Sequence, residues 1–428
     1  MRVLWVCNIM LPYFAEHFGL PSSNREGWLS GSFMRIMREP SGLTMGVACP
    51  TTGKLKNCRE EVDGALFYGF TENLDAPEIY DPSLEGRFKE IVEDFQPDLV
   101  HIFGTEFPHT LAMTTAYGRP EQTLIGIQGL CRSIADVYMA DLPYPVQKRA
   151  TFRDRVRHDS LLQQKKKFEL RAQTEAKALR RTGHITGRTA FDRKVTSEIN
   201  PDAVYHAMNE TLRSEFYTGT WSPENMERHS IFLSQGDYPL KGFHYMLKAM
   251  PQILDKFPDA HLYVAGNSII GPVGGAISEK GRVPLALRIS SYGKYLLRLI
   301  RRLGLQDHVT MLGRLSAQEM KEQYLRSNVF VCASIMENSP NSMCEAMLLG
   351  VPVVAAKVGG VPDLLTDAEE GILFPGGKWN ELAEGVKAIF YDDDLACFLG
   401  ENARRRAQFT HNPDTNYLRL LEIYKSMI

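Results

Sequence analysis

Short, continuous apolar runs recur along the chain at residues 3–7, 45–48, 65–68, 99–103 and 124–127. A second series follows at 231–234, 261–265, 309–312, 329–332, 351–355 and 372–374. Runs that are continuous rather than alternating mark parallel strands covered on both faces. Helical periodicity fills the gaps at 84–95, 243–256, 317–325 and 380–390. Strand–helix alternation predicts α/β units joined by right-handed crossovers. The two series are separated by residues 209–228, a polar, aromatic-dotted stretch with Gly219 and Pro223 that reads as a linker. The expected layout is therefore a domain over 1–208 and a second over 229–410. Tyr417, Leu420, Leu421 and Tyr424 share one helical face, so the closing helix at 411–428 is expected to pack back onto the first domain.

The densest chemical signal follows the predicted strand at 329–332. It reads Glu337-Asn338-Ser339-Pro340-Asn341-Ser342-Met343-Cys344-Glu345, and Gly350-Val351-Pro352 comes five residues later. Ser339 is expected to cap a helix, with Pro340 in its first position, where a missing N–H costs nothing. Gly350 should end that helix. Amides at Asn341 and Ser342 would then face outward at the positive end of the helix dipole, a ready site for a diphosphate. Glu337 sits before the helix at the carboxyl end of a strand, where open α/β sheets bind ligands. Glu345, nearly two turns in, can accept two hydrogen bonds from a vicinal diol such as ribose. The set describes a nucleotide sugar.

Glu337 and Glu345, with seven residues between them, resemble the double-glutamate motif of the retaining family-four glycosyltransferases of GT-B fold (glycosyl transferases group 1). The loop at 355–363, Ala-Ala-Lys-Val-Gly-Gly-Val-Pro-Asp, is similar to that family's next loop. The likeness runs from Ser234 to about Tyr391, and the phrase Glu-Asn-Ser-Pro-Asn-Ser resembles the polysaccharide-assembly branch. The resemblance implies two Rossmann-like domains facing a central cleft, an N-terminal acceptor side and a C-terminal donor side. It implies a nucleotide diphosphate-sugar donor and a saccharide or lipid-linked acceptor. Lys241, in Gln235-Gly236-Asp237-Tyr238-Pro239-Leu240-Lys241-Gly242, matches the family lysine that neutralises the donor diphosphate. The arginine expected five residues earlier is replaced by Gly236, and Arg314, beside Gly313, is a candidate substitute. By the same carry-over Glu337 and Lys241 are the catalytic pair, while Glu345, Asn338, Ser339, Asn341, Ser342, Gly313, Arg314 and Gln235 bind donor.

The N-terminal half matches more thinly. Gly27 alone remains of a family Gly-Gly pair, with Glu26 beside it, and Trp28 is either core or site. His101, Glu106 and His109 surround the end of the strand at 99–103 as acceptor-side candidates. Gln128 stands where the family often has a histidine. No metal or other cofactor is expected. The metal-binding Asp-x-Asp pattern of the other major transferase fold occurs only as Asp392-Asp393-Asp394, which reads as a solvated turn, and Lys241 with the helix amides would do the metal's electrostatic work.

Composition changes little. With 428 residues, 44% hydrophobic and 23% charged, the chain has the balance of a soluble two-domain protein, and a net charge of −2 does not suggest a nucleic-acid partner. Seven scattered cysteines without a CxxC pair read as free thiols in a reducing compartment. There is no charged leader before the first strand and no apolar run near the ~20 residues of a membrane span, so the expected location is cytoplasmic. Charge is uneven: residues 148–194 hold 15 Lys and Arg against 5 Asp and Glu. That segment reads either as a packed helix, with Leu161, Phe168, Ala172, Ala176 and Leu179 on one face, or as a surface for an anionic membrane at its inner face. Two other functions fit the same donor half: a GT-B nucleotide-sugar epimerase, and a non-catalytic nucleotide- or saccharide-binding protein.

Overall fold

A computed structural model describes residues 1–21, 27–39, 42–139, 141–270 and 285–428. The chain divides into two compact units. The first comprises Met1–Ala135, Lys167–Arg213 and Thr410–Ile428; the second comprises Asp136–Lys166 and Ser214–Phe409.

The first unit is built on eight strands: β1 (Arg2–Val6), β2 (Thr44–Pro50), β3 (Arg59–Val62), β4 (Ala65–Phe70), β5 (Leu99–Phe103), β6 (Thr123–Gly126), β7 (His184–Gly187) and β8 (Val204–Ala207). Their order is β3-β4-β2-β1-β5-β6-β7-β8, and all pairs are parallel except the β3–β4 hairpin. Progress along the chain reverses direction beside β1, so β1 and β5 flank the topological switch point. β1 and β5 are almost wholly buried, which is why their sequences are continuous apolar runs. The helix Pro413–Ser426 closes this unit, and Tyr417, Leu420 and Tyr424 join Val3, Trp5 and Phe33 in its core.

The second unit holds β9 (Glu227–Leu233), β10 (His261–Ala265), β11 (Val309–Gly313), β12 (Ser327–Cys332), β13 (Val353–Lys357) and β14 (Ile372–Pro375). The order is β11-β10-β9-β12-β13-β14, every pair parallel. All six strands therefore end on one edge, with the helices Phe243–Leu254, Ser291–Leu303 and Asn341–Leu349 among those covering the sheet.

Three expectations change. Residues 136–166, read as part of the first domain, belong to the second unit. Tyr245 Oη donates to Asp141 Oδ2 at 2.8 Å, and buried Asp154 Oδ2 accepts from the Ser291 amide at 2.9 Å, so this stretch is fastened to the helices of the second sheet. The linker stretch is packed from residue 214 onward: Phe216 is fully buried, and Trp221 Nε1 donates to the Ser327 carbonyl at 2.8 Å. Asp392–Asp394, read as a solvated turn, is largely exposed but turns helical at Asp393. Asp392 Oδ1 accepts from the Leu395 amide at 2.9 Å, the helix Asp393–Thr410 begins there, and Asp393 pairs with Arg228 at 2.6 Å.

Candidate functional site

The second sheet's carboxyl edge is assembled by backbone contacts between loops. After β12 the chain runs over the loop that follows β9: the Ile335 amide donates to the Leu240 carbonyl at 2.8 Å. Gly242 adopts φ +69°, and a Cβ there would lie 1.8 Å from the Ala333 carbonyl oxygen. From the other side Gly359, at φ +52°, would place a Cβ 1.9 Å from the Glu337 carbonyl oxygen, which also accepts from the Gly360 amide at 3.1 Å. Any side chain at 242 or 359 would push the loop away, so these positions need glycine. The loop bearing Glu337 is thus gripped from both sides.

These ties set the side chains. Lys241 Nζ meets Glu337 Oε1 at 2.5 Å, and Ser334 Oγ donates to the same oxygen at 2.6 Å. The lysine side chain is 22% exposed and the carboxylate 11%, so the pair is reachable from solvent yet mostly dry. Burial works against the charge on Lys241, but the adjoining Glu337 carboxylate outweighs it and holds the ammonium's pKa raised. Nearby Cys332 is pushed up to about 12 by burial and by the same carboxylate, so its thiol is inert.

The helix Asn341–Leu349 starts one residue later than expected. Pro340 is its N-cap, at φ −72° and ψ 104°, with no side-chain cap, so Ser339 does not cap it. The chain bends at Asn338 and Ser339, beyond the ties at Ile335 and Glu337, and the helix begins after extended Pro340. The Pro340 carbonyl accepts from the Met343 and Cys344 amides, which puts Asn341 and Ser342 in the first two helical positions. Gly350 terminates the helix at φ 78°. Asn338 is buried, Ser339, Asn341 and Ser342 are half-buried, and Glu345 is only 4% exposed.

Further along the edge, exposed Arg314 follows Gly313 at the end of β11. Its Nε donates to Asn267 Oδ1 at 2.7 Å, and Asn267 Nδ2 donates to Asp237 Oδ2 at 2.8 Å. Gln235 lies against Gly266 in the same row. Gly236 is closed to a larger residue: a Cβ there would stand 2.6 Å from Val264 Cγ1 and 2.9 Å from Phe243 Cδ1. An arginine at this position would therefore need the Val264 and Phe243 side chains to move aside. Sequence reading missed Ser334, Asn267 and Asp237; the only available signal was their position just after a strand.

The acceptor-side candidates occupy the carboxyl edge of the first sheet and behave differently. His101 is a core residue, fully buried, with Nδ1 at 2.7 Å from Tyr424 Oη, which accepts from Trp5 Nε1 at 2.8 Å. Burial lowers its pKa to about 3, so it is neutral and structural. His109 is also fully buried, with Nδ1 at 2.6 Å from Glu72 Oε2 and Nε2 at 3.0 Å from Asn8 Oδ1. Asn8 Nδ2 donates to Gln128 Oε1 at 3.1 Å. The Glu106 carboxylate accepts from the Thr105 amide at 2.9 Å, and burial raises its pKa. Buried Glu175, unforeseen, accepts from Thr105 Oγ1 at 2.6 Å and from the Cys131 amide at 3.0 Å, with its pKa pushed up to about 7 by burial. Asn8, Glu106, His109 and Gln128 thus meet at the switch point, while His101 stands apart. Gly27 and Trp28 open the helix Gly27–Arg38, but their surroundings, like residues 22–26, lie outside the described residues.

Residues 222–406 match the family model of glycosyl transferases group 1. The second unit is thus similar to the group 1 glycosyltransferases over most of its length. D-inositol 3-phosphate glycosyltransferase of Streptomyces bingchenggensis is 28% identical over 40% of this chain and 34% of its own length. Spore coat protein SA of Bacillus subtilis is 25% identical over 44% of this chain and 46% of its own. The chain spans less than half the length of these curated relatives. Among solved structures, sucrose-phosphate synthase of Thermosynechococcus elongatus aligns with a TM-score of 0.70 at 16% identity, covering 100% of this chain and 99% of that one. Anabaena HepE in complex with UDP aligns at 0.66 and 16% identity, covering both chains fully. The fold is α/β with two Rossmann-like parallel-sheet domains, as in GT-B glycosyltransferases. Lys241, Arg314, Glu337 and Glu345 all lie within the matched residues.

Proposed function

We propose that this chain is a retaining glycosyltransferase that moves a hexose-like sugar from a nucleotide diphosphate donor to a saccharide or lipid-linked acceptor, in polysaccharide or glycoconjugate assembly. The observation that carries the reading is the Lys241–Glu337 pair, held at 2.5 Å beside the start of the helix Asn341–Leu349. An incoming donor would divide that pair. Lys241 and the first helical amides would take the charge that develops on the departing diphosphate, which is the largest electrostatic contribution such a site can make. Glu337, released from the lysine but still held by Ser334, would accept hydrogen bonds from the sugar hydroxyls. Glu345 would hold the ribose. With the lysine in place no divalent metal is needed. Seven free cysteines agree with a reducing, cytoplasmic setting, and among the described residues no helix is long and apolar enough to cross a membrane.

One observation favours a second reading, a nucleotide- or saccharide-binding protein without turnover: the packing at Gly236 excludes half of the usual positive clamp. Calorimetric titration separates the two. UDP, GDP and ADP are added without metal to the wild type and to Glu345→Gln, UDP first because the similar HepE binds it. The expected result is saturable binding of one nucleotide, weakened about tenfold or more in the variant, in line with a lost charge-assisted hydrogen bond. Binding that appears only with magnesium would defeat the metal-free scheme. No binding under either condition would defeat the donor site itself, and binding without turnover on any acceptor would favour the second reading.

A further inference from the structure

Residues 136–166 make an excursion that lies in the second unit, where two short helices, Tyr144–Lys148 and Phe152–Arg157, pack beside the helices Ser291–Leu303 and Leu285–Arg288. The attachment is stiff. Thr151 and Asp154 form a reciprocal capping box on Phe152–Arg157, and the Asp154 carboxylate also accepts from the Ser291 amide at the start of the next helix. One buried carboxylate therefore fixes two helix starts.

This platform presents several exposed apolar side chains on neighbouring elements. Phe152 is 61% exposed and Val156, one turn on, 62%; Tyr144, Leu162 and Leu287 are also among the exposed large apolar side chains. Scattered single apolar residues are ordinary, but five on adjoining short elements form a patch. Around them the charge is of one sign. Residues 141–166 and 285–302 together contain twelve Lys and Arg against three Asp and no Glu. All three aspartates have partners: exposed Asp141 accepts from Tyr245, buried Asp154 serves the cap, and Asp159 pairs with Arg153 at 2.8 Å. Among the described residues no carboxylate pairs with Arg155 or Arg157, which flank Val156, and Lys148 Nζ lies 4.3 Å from the Tyr144 ring centroid.

We propose that this face of the second unit, centred on Tyr144, Phe152, Val156 and Leu287, is a docking surface for an anionic lipid bilayer. Exposed aromatic and aliphatic side chains beside cations such as Arg155, Arg157 and Lys148 are what a headgroup layer accommodates: the apolar groups enter the acyl boundary and the cations stay with the phosphates. The inference moves the membrane surface from the whole basic stretch 148–194 to its first part plus the helices at 285–303. It stands independently of the transferase reading.

The test is co-sedimentation of the full chain with vesicles of phosphatidylcholine alone or with about a third phosphatidylglycerol. Binding should require the anionic lipid and fall steeply as salt is raised through the range in which the Debye length shrinks from about 10 Å to about 3 Å. Phe152→Ser with Val156→Ser should weaken it several-fold. Arg155→Glu with Arg157→Glu should weaken it at least twenty-five-fold, at about fivefold per basic residue lost. Arg193→Glu with Lys194→Glu, in the first unit, should leave it unchanged. Absence of binding to anionic vesicles at low salt, equal binding to neutral ones, or loss only in the Arg193 and Lys194 variant would each overturn the proposal. The lipid and salt dependence of the wild type decides the matter even if a variant misfolds, and nucleotide titration of the same samples reports separately on the donor site.

Discussion

Both units end their parallel strands in a row of polar side chains, yet the two rows are in opposite states. In the first unit Asn8, Glu72, His109 and Gln128 are joined in one buried chain of hydrogen bonds, and the Glu72 side chain is 3% exposed. In the second, Lys241 and Glu337 face each other at the margin of solvent, and Arg314 is exposed. A buried network whose members satisfy one another rigidifies its surroundings and offers little to a newcomer. A half-exposed ion pair is different: each partner can take a new one of equal charge without leaving anything stranded. The same edge of the same kind of sheet thus holds a closed hydrogen-bond chain in one unit and an ion pair open to solvent in the other.

The comparison predicts which mutations hurt activity and which hurt stability. Lys241→Ala and Glu337→Gln should each lower turnover by about 10²–10³, the cost of removing one preorganised group at a developing charge, while circular dichroism stays that of the wild type. Turnover within a few-fold of wild type in both would remove the pair from the site. His109→Ala should do the reverse. It leaves the buried Glu72 carboxylate with the amide of residue 109 but without the imidazole, and urea unfolding should register a loss of about 1–3 kcal/mol, with nucleotide affinity unaltered. A change in affinity instead would make the first row part of the donor site.

Gly236→Arg tests whether packing explains the absent arginine. With Val264 Cγ1 2.6 Å from the new Cβ, the substitution should destabilise by about 1–3 kcal/mol and fail to tighten nucleotide binding. Combining it with Val264→Ala should recover part of that loss. A smaller effect is expected from Glu175→Gln. The folded carboxyl has its pKa raised to about 7 from an ordinary 4.5, so the native state holds a proton that the unfolded chain has released. Its stabilising contribution is complete below the unfolded pKa and lost as pH rises through the folded one. Relative to wild type, the variant should therefore gain on the order of 1 kcal/mol per pH unit between about 5 and 7, and nothing above. Urea unfolding across that range reads the difference, from which the buried histidines common to both proteins cancel.

Most of this architecture was legible because buried parallel strands must be apolar without interruption. The strands missed are those that escape that demand. β3 reads Arg-Glu-Glu-Val and lies antiparallel at an exposed edge, while β8 ends the opposite edge with Val204 turned to solvent. β7, His-Ile-Thr-Gly, is too short and too polar to stand out. The surroundings of Glu337 were legible because strand, loop and helix start are contiguous in sequence. Asn8, Glu72 and Glu175 were not, since their partners lie 101, 37 and 70 residues away and only the folded sheet brings them together. The attachment of residues 136–166 was hidden for the same reason: it rests on Asp141 and Asp154, two ordinary aspartates whose partners lie more than a hundred positions downstream.

The grip of Gly242 and Gly359 on the loop bearing Glu337 bears on what the site tolerates. Their contacts are with main-chain oxygens, so they fix where the loop runs without dictating which side chains it carries. The course of the main chain, and with it the anchor point of the carboxylate, is therefore set apart from the side chains that flank it. A substitution beside Glu337 would leave the loop where it is, whereas one at Gly242 or Gly359 would move the carboxylate itself.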